Sequence, residues 1–356
     1  MRQRVRFATS ADGVQIAYTT TGKGPPLLRV ANWFTHLEFD RKSAIWRHWF
    51  DALSENRSLV RYDPRGTGLS DRNVDNFSLS RWIDDLDAVV DDAGLAKFTL
   101  FGLCQGGAVA AAYAALHPNR VSRLVLYDAY AFGAYTDGVS ERLAREACAL
   151  AQMIEVGWGK ENAVFREVFA RLLMPHADQD ELRWIGELQR LSASARNAHL
   201  LWDAFQNFDI RDVAANISVP TLVFHGRGDA MVPFEAGRHL ASLIPNARFV
   251  PLETDNHILS RDEKAWQTFR REFNEFLAPE SGPTGTGNAA FDSLTARERD
   301  VLQGVARGLN NRELADLLNI SEKTVRNHLT AVFSKLGVSS RAKAMVLARD
   351  AGFGRD

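Results

Sequence analysis

Short apolar runs and amphipathic stretches alternate along the first three-quarters of the chain. Strand-like runs fall at 14–18, 26–30, 58–62, 98–101, 123–127, 221–224 and 247–251, and the N-terminus leads straight into a further strand-like pattern. Helical patterns lie between most of them, for example at 79–93 and 108–116. Buried strands of this length alternating with helices predict a mostly parallel sheet covered on both faces. From about Ala131 to Ala215 several helical patterns follow one another with no strand between them. An insertion at that point would roof the carboxyl edge of the sheet, where open α/β sheets bind ligands.

The pattern stops after Leu277. Residues 278–290 are rich in Gly, Pro, Ser and Thr and have almost no apolar content, so they cannot bury enough surface to order themselves. As a flexible coil they would span on the order of 20 Å. Helical periodicity then resumes. Thr295 and Glu298 are spaced as a capping box, Val301, Leu302, Val305 and Leu309 continue an apolar face, and Gly308 stops the helix. A short helix at 311–318, a turn at Asn319-Ile320, a third helix capped by Ser321 and a fourth from about Ala342 follow. The expected organisation is an α/β domain over 1–277 with a lid at about 131–215, a linker over 278–290, and a small all-α helix-turn-helix domain over 291–356.

Composition narrows the class without naming a function. An apolar share of 46% and a charged share of 24% suit a soluble globular protein with a sizeable core. No run approaches a membrane span and no signal-peptide core opens the chain. Two cysteines, Cys104 and Cys148, are too few for a disulfide framework and fit a reducing cytoplasm. The net charge of −1 is unevenly spread: residues 291–356 hold 11 Lys and Arg against 8 Asp and Glu, the remainder 32 against 36. A mildly basic tail behind an acidic body is compatible with nucleic acid.

The chemistry-bearing residues sit at strand ends. Gly102-Leu103-Cys104-Gln105-Gly106 follows one strand and opens an Ala-rich helix, the context of a nucleophile elbow with Cys in place of Ser. The helix N-terminus favours a thiolate there. Asp229 follows the run 221–224, and His257 follows the run 247–251. In this order His257 takes the Cys104 proton and Asp229 orients the imidazole. Backbone N–H groups of Gln105 and of the loop near Trp33 would form an oxyanion hole.

With these residues in view, the region 1–277 resembles the α/β-hydrolase fold superfamily over nearly its whole length. Arg61-Tyr62-Asp63-Pro64-Arg65-Gly66-Thr67-Gly68-Leu69-Ser70 and His117-Pro118-Asn119-Arg120-Val121 strengthen the likeness. Two departures stand out. Ala31-Asn32-Trp33 replaces the family's usual His-Gly, and Cys replaces Ser, as in hydrolases of the dienelactone type.

In the third helix of the tail, Val325, Leu329, Val332, Phe333 and Leu336 form an apolar stripe, while Lys323, Thr324, Arg326, Asn327 and Thr330 gather on the other side. That half of a recognition helix meets base edges. The tail is similar to the LuxR-type DNA-binding domain, with matching residues Leu294-Thr295, Arg297-Glu298, Gly308, Asn311, Glu313, Ala315, Ser321, Lys323-Thr324-Val325, Asn327-His328, Lys335-Leu336-Gly337-Val338 and Ser340-Arg341. Arg326, Asn327 and Thr330 are expected to read bases, and Lys323, Thr324, Arg312 and Arg341 to contact phosphates. By the resemblance, the fourth helix supports a homodimer on a two-fold operator.

Trp158, Phe165, Phe169, Trp184, Trp202 and Phe205 in the insertion, and Trp33, Phe34, His36, Tyr130 and Phe132 outside it, are candidate walls of a ligand cavity. They lean toward an apolar or aromatic ligand of modest size. No Cys/His cluster has metal-ligand spacing and no phosphate loop occurs, so no cofactor is expected. The expected protein is a cytoplasmic transcription regulator whose hydrolase-like domain serves as a small-molecule receptor. An active Cys-His-Asp hydrolase of small esters or lactones with a DNA-binding tail is the alternative.

Overall fold

Eight strands form a single sheet in a computed structural model that describes residues 4–160, 163–278, 291, 293–338 and 340–354. The chain divides into two compact units, Met1–Leu277 and Ala278–Asp356. The stretch 279–290, most of the expected linker, lies outside the described residues.

In the larger unit the strands are β1 (Val5–Thr9), β2 (Gln15–Gly22), β3 (Pro26–Arg29), β4 (Ser58–Tyr62), β5 (Phe98–Leu103), β6 (Val121–Tyr127), β7 (Thr221–Gly226) and β8 (Arg248–Leu252). Their order in the sheet is β1-β2-β4-β3-β5-β6-β7-β8. β1 and β2 are antiparallel to their neighbours, and every pair from β4 onward is parallel. The expected mostly parallel sheet is therefore present, with β2 running opposite to the other strands next to one edge. Every residue of β7 is buried, as a strand covered on both faces requires.

Helices α1 (Leu37–Asp40) and α2 (Arg47–Ser54) follow β3, α3 (Leu79–Asp92) follows β4, and α4 (Gln105–Leu116) follows β5. α4 is apolar all round because it crosses the middle of the sheet, and nearly all of its residues are buried. Five helices without a strand separate β6 from β7: α5 (Glu141–Gly157), α6 (Ala163–Leu173), α7 (Gln179–Ser192), α8 (Ala195–Asn207) and α9 (Arg211–Ala214). α10 (Phe234–Leu243) and α11 (Lys264–Leu277) complete the unit.

Buried charge ties the loops beneath the site. Asp63 Oδ1 accepts from the Thr35 hydroxyl at 2.7 Å, and its Oδ2 accepts from the Leu37 and Leu69 backbone N–H at 3.1 and 2.9 Å. The loop after β3 and the loop after β4 thus share one carboxylate. Nearby, Arg65 donates to both oxygens of Asp85 at 2.8 and 2.6 Å, with both side chains 1% exposed.

The smaller unit is helical: α12 (Ala296–Ala306), α13 (Asn311–Leu318), α14 (Glu322–Leu336) and α15 (Arg341–Asp350). The Thr295–Glu298 capping box forms, and a second joins Asn310 to Glu313. Ser321 caps α14, and Gly337 ends it in the left-handed region at φ 65°, where a residue without Cβ is least strained. Val301, Val305, Leu314, Val325 and Leu329 pack the three-helix core.

Candidate functional site

Cys104 stands between β5 and α4 with φ 53° and ψ −130°, a conformation that an L-residue holds only when its surroundings impose it. Its N–H donates to the Tyr127 carbonyl at 3.0 Å, and Gly107 N–H donates back to its carbonyl at 2.9 Å. The turn is crowded. A Cβ on Gly106 would stand 2.6 Å from the Ala31 carbonyl oxygen, so glycine there lets the start of α4 close onto the loop after β3.

Asp229 and His257 come from the ends of β7 and β8 and meet. The His257 Nδ1 and Asp229 Oδ2 atoms are 2.7 Å apart, and both side chains are buried. A carboxylate only accepts, so Nδ1 carries the proton and Nε2 is left for the Cys104 side. Asp229 is itself aimed: its Oδ1 accepts from the Met231 and Val232 N–H groups at 2.8 and 3.2 Å. Burial opposes a charge on His257, yet the Asp229 carboxylate and the Cys104 sulfur push the imidazole well above its ordinary range.

The sequence reading missed Asp128. It sits at the end of β6 with φ 44°, fully buried, and its Oδ1 accepts from Gly226 N–H at 2.8 Å. Its Oδ2 lies 3.6 Å from His257 Nδ1. Burial, reinforced by the Asp229 charge, pushes its carboxyl well above the usual range, so Asp128 holds a proton where a surface carboxyl would have lost it. Asp128, Asp229 and His257 are the one metal-competent group among the described residues, and a hydrogen bond already joins two of them.

Above this group lies a cavity of about 700 Å³. Cys104, Gln105 and His257 reach it, as do Trp33, Phe34, Tyr130, Phe132, Trp202 and Phe205. The five-helix insertion adds Leu143, Leu150, Met153, Leu172 and Leu173, and the segment after β7 adds Met231 and Val232. Several expected wall residues stand elsewhere. His36 caps α1, accepting from Phe39 N–H at 3.4 Å. Trp158 and Phe169 pack behind Trp33 at centroid distances of 5.1 and 5.6 Å, Trp184 stacks on Phe39 at 5.0 Å, and Phe165 lies against Gly157. Aromatic spacing identified core in these cases and cavity wall in the others. Among the described residues, the backbone N–H groups of Trp33 and Gln105 have no protein acceptor.

On α14, Lys323, Arg326, Asn327 and Thr330 are exposed and Thr324 is half-buried. Thr324 Oγ1 is 2.8 Å from the Ser321 hydroxyl, and the Thr330 hydroxyl donates to the Arg326 carbonyl at 3.0 Å. The side chains of Lys323, Arg326, Asn327 and Arg312 have no partner among the described residues. Arg341 differs: it donates to Asn311 Oδ1 at 2.8 Å and to the Leu309 carbonyl, bracing the start of α13.

The sheet order, the elbow after β5 and the acid and histidine after β7 and β8 define the α/β-hydrolase fold, and the tail is a separate four-helix unit containing a helix-turn-helix. Residues 41–264 match the alpha/beta hydrolase fold family, and residues 292–348 match the bacterial regulatory proteins of the luxR family. The chain belongs to the alpha/beta hydrolase fold family and carries a LuxR-type domain at its C-terminal end, which supports a role as a transcription regulator. The larger unit is 30% identical over 210 residues to a 2-hydroxymuconate semialdehyde hydrolase of Pseudomonas putida, covering 55% of this chain and 68% of that protein. It is 25% identical over 281 residues to the non-heme chloroperoxidase CPO-A1 of Kitasatospora aureofaciens, covering 76% of this chain and 98% of the relative. An esterase from Exiguobacterium antarcticum shares the fold with a TM-score of 0.66 at 23% identity, over 77% of this chain and 99% of that one. No helix among the described residues is long and apolar enough to cross a membrane.

Proposed function

We propose that this protein is a DNA-binding transcription regulator whose hydrolase-like unit receives a small apolar or aromatic ligand. One observation carries the reading: a roughly 700 Å³, mostly apolar cavity is lined by Cys104 and His257 in a chain that also bears a LuxR-type helix-turn-helix. Lys323, Thr324, Arg326, Asn327, Thr330 and Arg312 present the groups that read bases and phosphates. Arg341 braces the start of α13 through Asn311 and the Leu309 carbonyl. The protein acts as a homodimer, with α15 at the two-fold axis, beside DNA in the cytoplasm. Ligand controls it by binding the DNA-competent and DNA-incompetent states unequally, since equal affinity shifts nothing. The test is to identify small molecules that co-purify with the full chain and to titrate them into an operator-binding assay. A co-purifying ligand that leaves operator affinity unchanged contradicts the reading.

A second reading is favoured by the relay itself. In this reading Cys104 is the nucleophile, His257 the base and Asp229 the orienting acid for turnover of small esters or lactones. Comparing wild type with Cys104→Ala on a panel of such compounds decides it: cysteine-dependent multiple turnover supports an enzyme, and its absence supports a receptor.

A further inference from the structure

The loop after β3 carries asparagine where the resemblance led us to expect glycine, and that asparagine is not idle. Asn32 is 8% exposed, and its Oδ1 accepts from Arg29 Nη2 at 2.6 Å. Arg29 is itself sealed at 3% exposure, with its guanidinium 4.9 Å from the Trp46 ring centre and 5.8 Å from that of Phe50. Burial lowers the Arg29 pKa, to about 10, so it remains charged at neutral pH. A guanidinium has no acceptor, so the amide must turn its oxygen toward Arg29 and its NH2 the other way. No other residue among those described bonds that NH2. Asn32 lines the same cavity as Cys104 and Gln105. Its loop is anchored from both sides: Val30 N–H donates to the Phe101 carbonyl at 2.8 Å, and the start of α4 closes on Ala31.

We propose that the Asn32 side-chain amide, locked by Arg29, donates to the carbonyl oxygen of an ester, thioester or lactone ligand while Cys104 attacks its carbonyl carbon. This rests on the reading of Cys104 as the nucleophile. The Cys104 thiol gives its proton to His257 Nε2, and the sulfur forms the new S–C bond as the carbonyl π pair moves onto oxygen. That oxyanion receives hydrogen bonds from the Asn32 amide and from the Gln105 and Trp33 N–H groups. Collapse reforms the carbonyl and breaks the C–O bond, or the C–S bond of a thioester. The departing oxygen or sulfur takes its proton from His257 Nε2, leaving a thioester on Cys104. A charged arginine behind the amide polarises its N–H bonds, so the donor strengthens as charge builds on the ligand oxygen. Asn32 thereby selects ligands with an acyl carbonyl next to an apolar body.

The test separates oxyanion stabilisation from thiol reactivity by a ratio of two rates in the full-length chain. Acylation is read as the burst of p-nitrophenolate from p-nitrophenyl butyrate. Alkylation of Cys104 by iodoacetamide, which builds no oxyanion, is read by intact mass. Both use a Cys148→Ser background, because Cys148 is an exposed thiol. Asn32→Ala removes the donor, and Asn32→Asp keeps the shape and the Arg29 partner while removing both N–H groups. Loss of one such donor is expected to lower the acylation-to-alkylation ratio about 100-fold in each variant. A ratio within about 3-fold of wild type in either variant overturns the proposal. Burst release that survives Cys104→Ala instead overturns the nucleophile reading, and this proposal with it.

Discussion

His257 and Asp229, on loops after neighbouring parallel strands, are joined by a 2.7 Å hydrogen bond from Nδ1 to a carboxylate held by two backbone N–H groups. The bond sets the tautomer that faces Cys104. Asp229→Asn can present its NH2 to Nδ1 and so favour the opposite tautomer. Acylation of Cys104 by p-nitrophenyl butyrate is then expected to fall by about 10²–10⁴-fold with little change in fold. A fall of less than about 10-fold would remove Asp229 from the relay.

Asp128 adds a pH signature. Burial and the Asp229 charge raise its carboxyl well above the usual range, so the folded chain keeps a proton that the unfolded chain loses above about pH 3.9. Stability from this group declines as pH rises from there toward the raised value. His257 acts in the same sense: its contribution is full below about pH 6.5 and is lost as pH rises through its raised folded value. Asp128→Asn keeps an acceptor for Gly226 N–H and removes the titratable carboxyl. Its melting temperature should exceed wild type by about 2–4 °C at pH 8 and match it near pH 4. Equal destabilisation at both pH values would show that the acid form of Asp128 is required.

The Arg65–Asp85 pair makes a sharper claim on stability. Both side chains are 1% exposed and share two hydrogen bonds, with Asp12 as a second, more exposed partner of Arg65. Asp85→Asn leaves a buried guanidinium undercompensated, which costs about 3–5 kcal/mol when a buried pair is broken. Urea unfolding of the larger unit should show a lowered midpoint with an unchanged slope. A loss below about 1 kcal/mol would mean that Asp12 and water compensate.

Lys323 and Arg326, both exposed near the start of α14 without protein partners, are expected to fail differently. Lys323→Ala should weaken binding to all duplexes alike and reduce the salt slope by about 1. Arg326→Ala should cost about 1–3 kcal/mol and relax preference at one base position. Fluorescence anisotropy across salt concentrations and single-base operator variants separates the two. Identical profiles would contradict the assigned roles.

Cys104, Asp229 and His257 were legible because strand-ending positions leave a local trace: a tight glycine turn, a Gly-Asp segment after a buried run, and a histidine beyond the last strand. The capping residues Thr295 and Ser321 were legible because caps are written within four residues. Asp128 left no such trace. A single aspartate after Tyr127 reads like any strand end, and only the packing of β6 beside β7 brings it to His257. His36 looked like a cavity residue from its neighbours Trp33 and Phe34, but one more residue along the loop turned it into a helix cap. The Trp158, Phe169 and Trp184 positions depend on how five helices fold back over the sheet, which periodicity alone does not specify. Ala31-Asn32-Trp33 is visible as a departure from the family's usual His-Gly, yet what Asn32 does depends on Arg29 at hydrogen-bonding distance.

Occupancy of the hydrolase-like cavity is expected to control DNA binding. This is tested most directly by measuring operator affinity of the full chain before and after the cavity is filled, using a duplex selected from random sequence by the protein itself. Filling is achieved with a co-purified ligand or by acylating Cys104. Specific, salt-sensitive binding is expected, with a Kd that changes by at least about 5-fold on filling. No duplex selected above non-specific binding, or a Kd indifferent to the filled cavity, would contradict it.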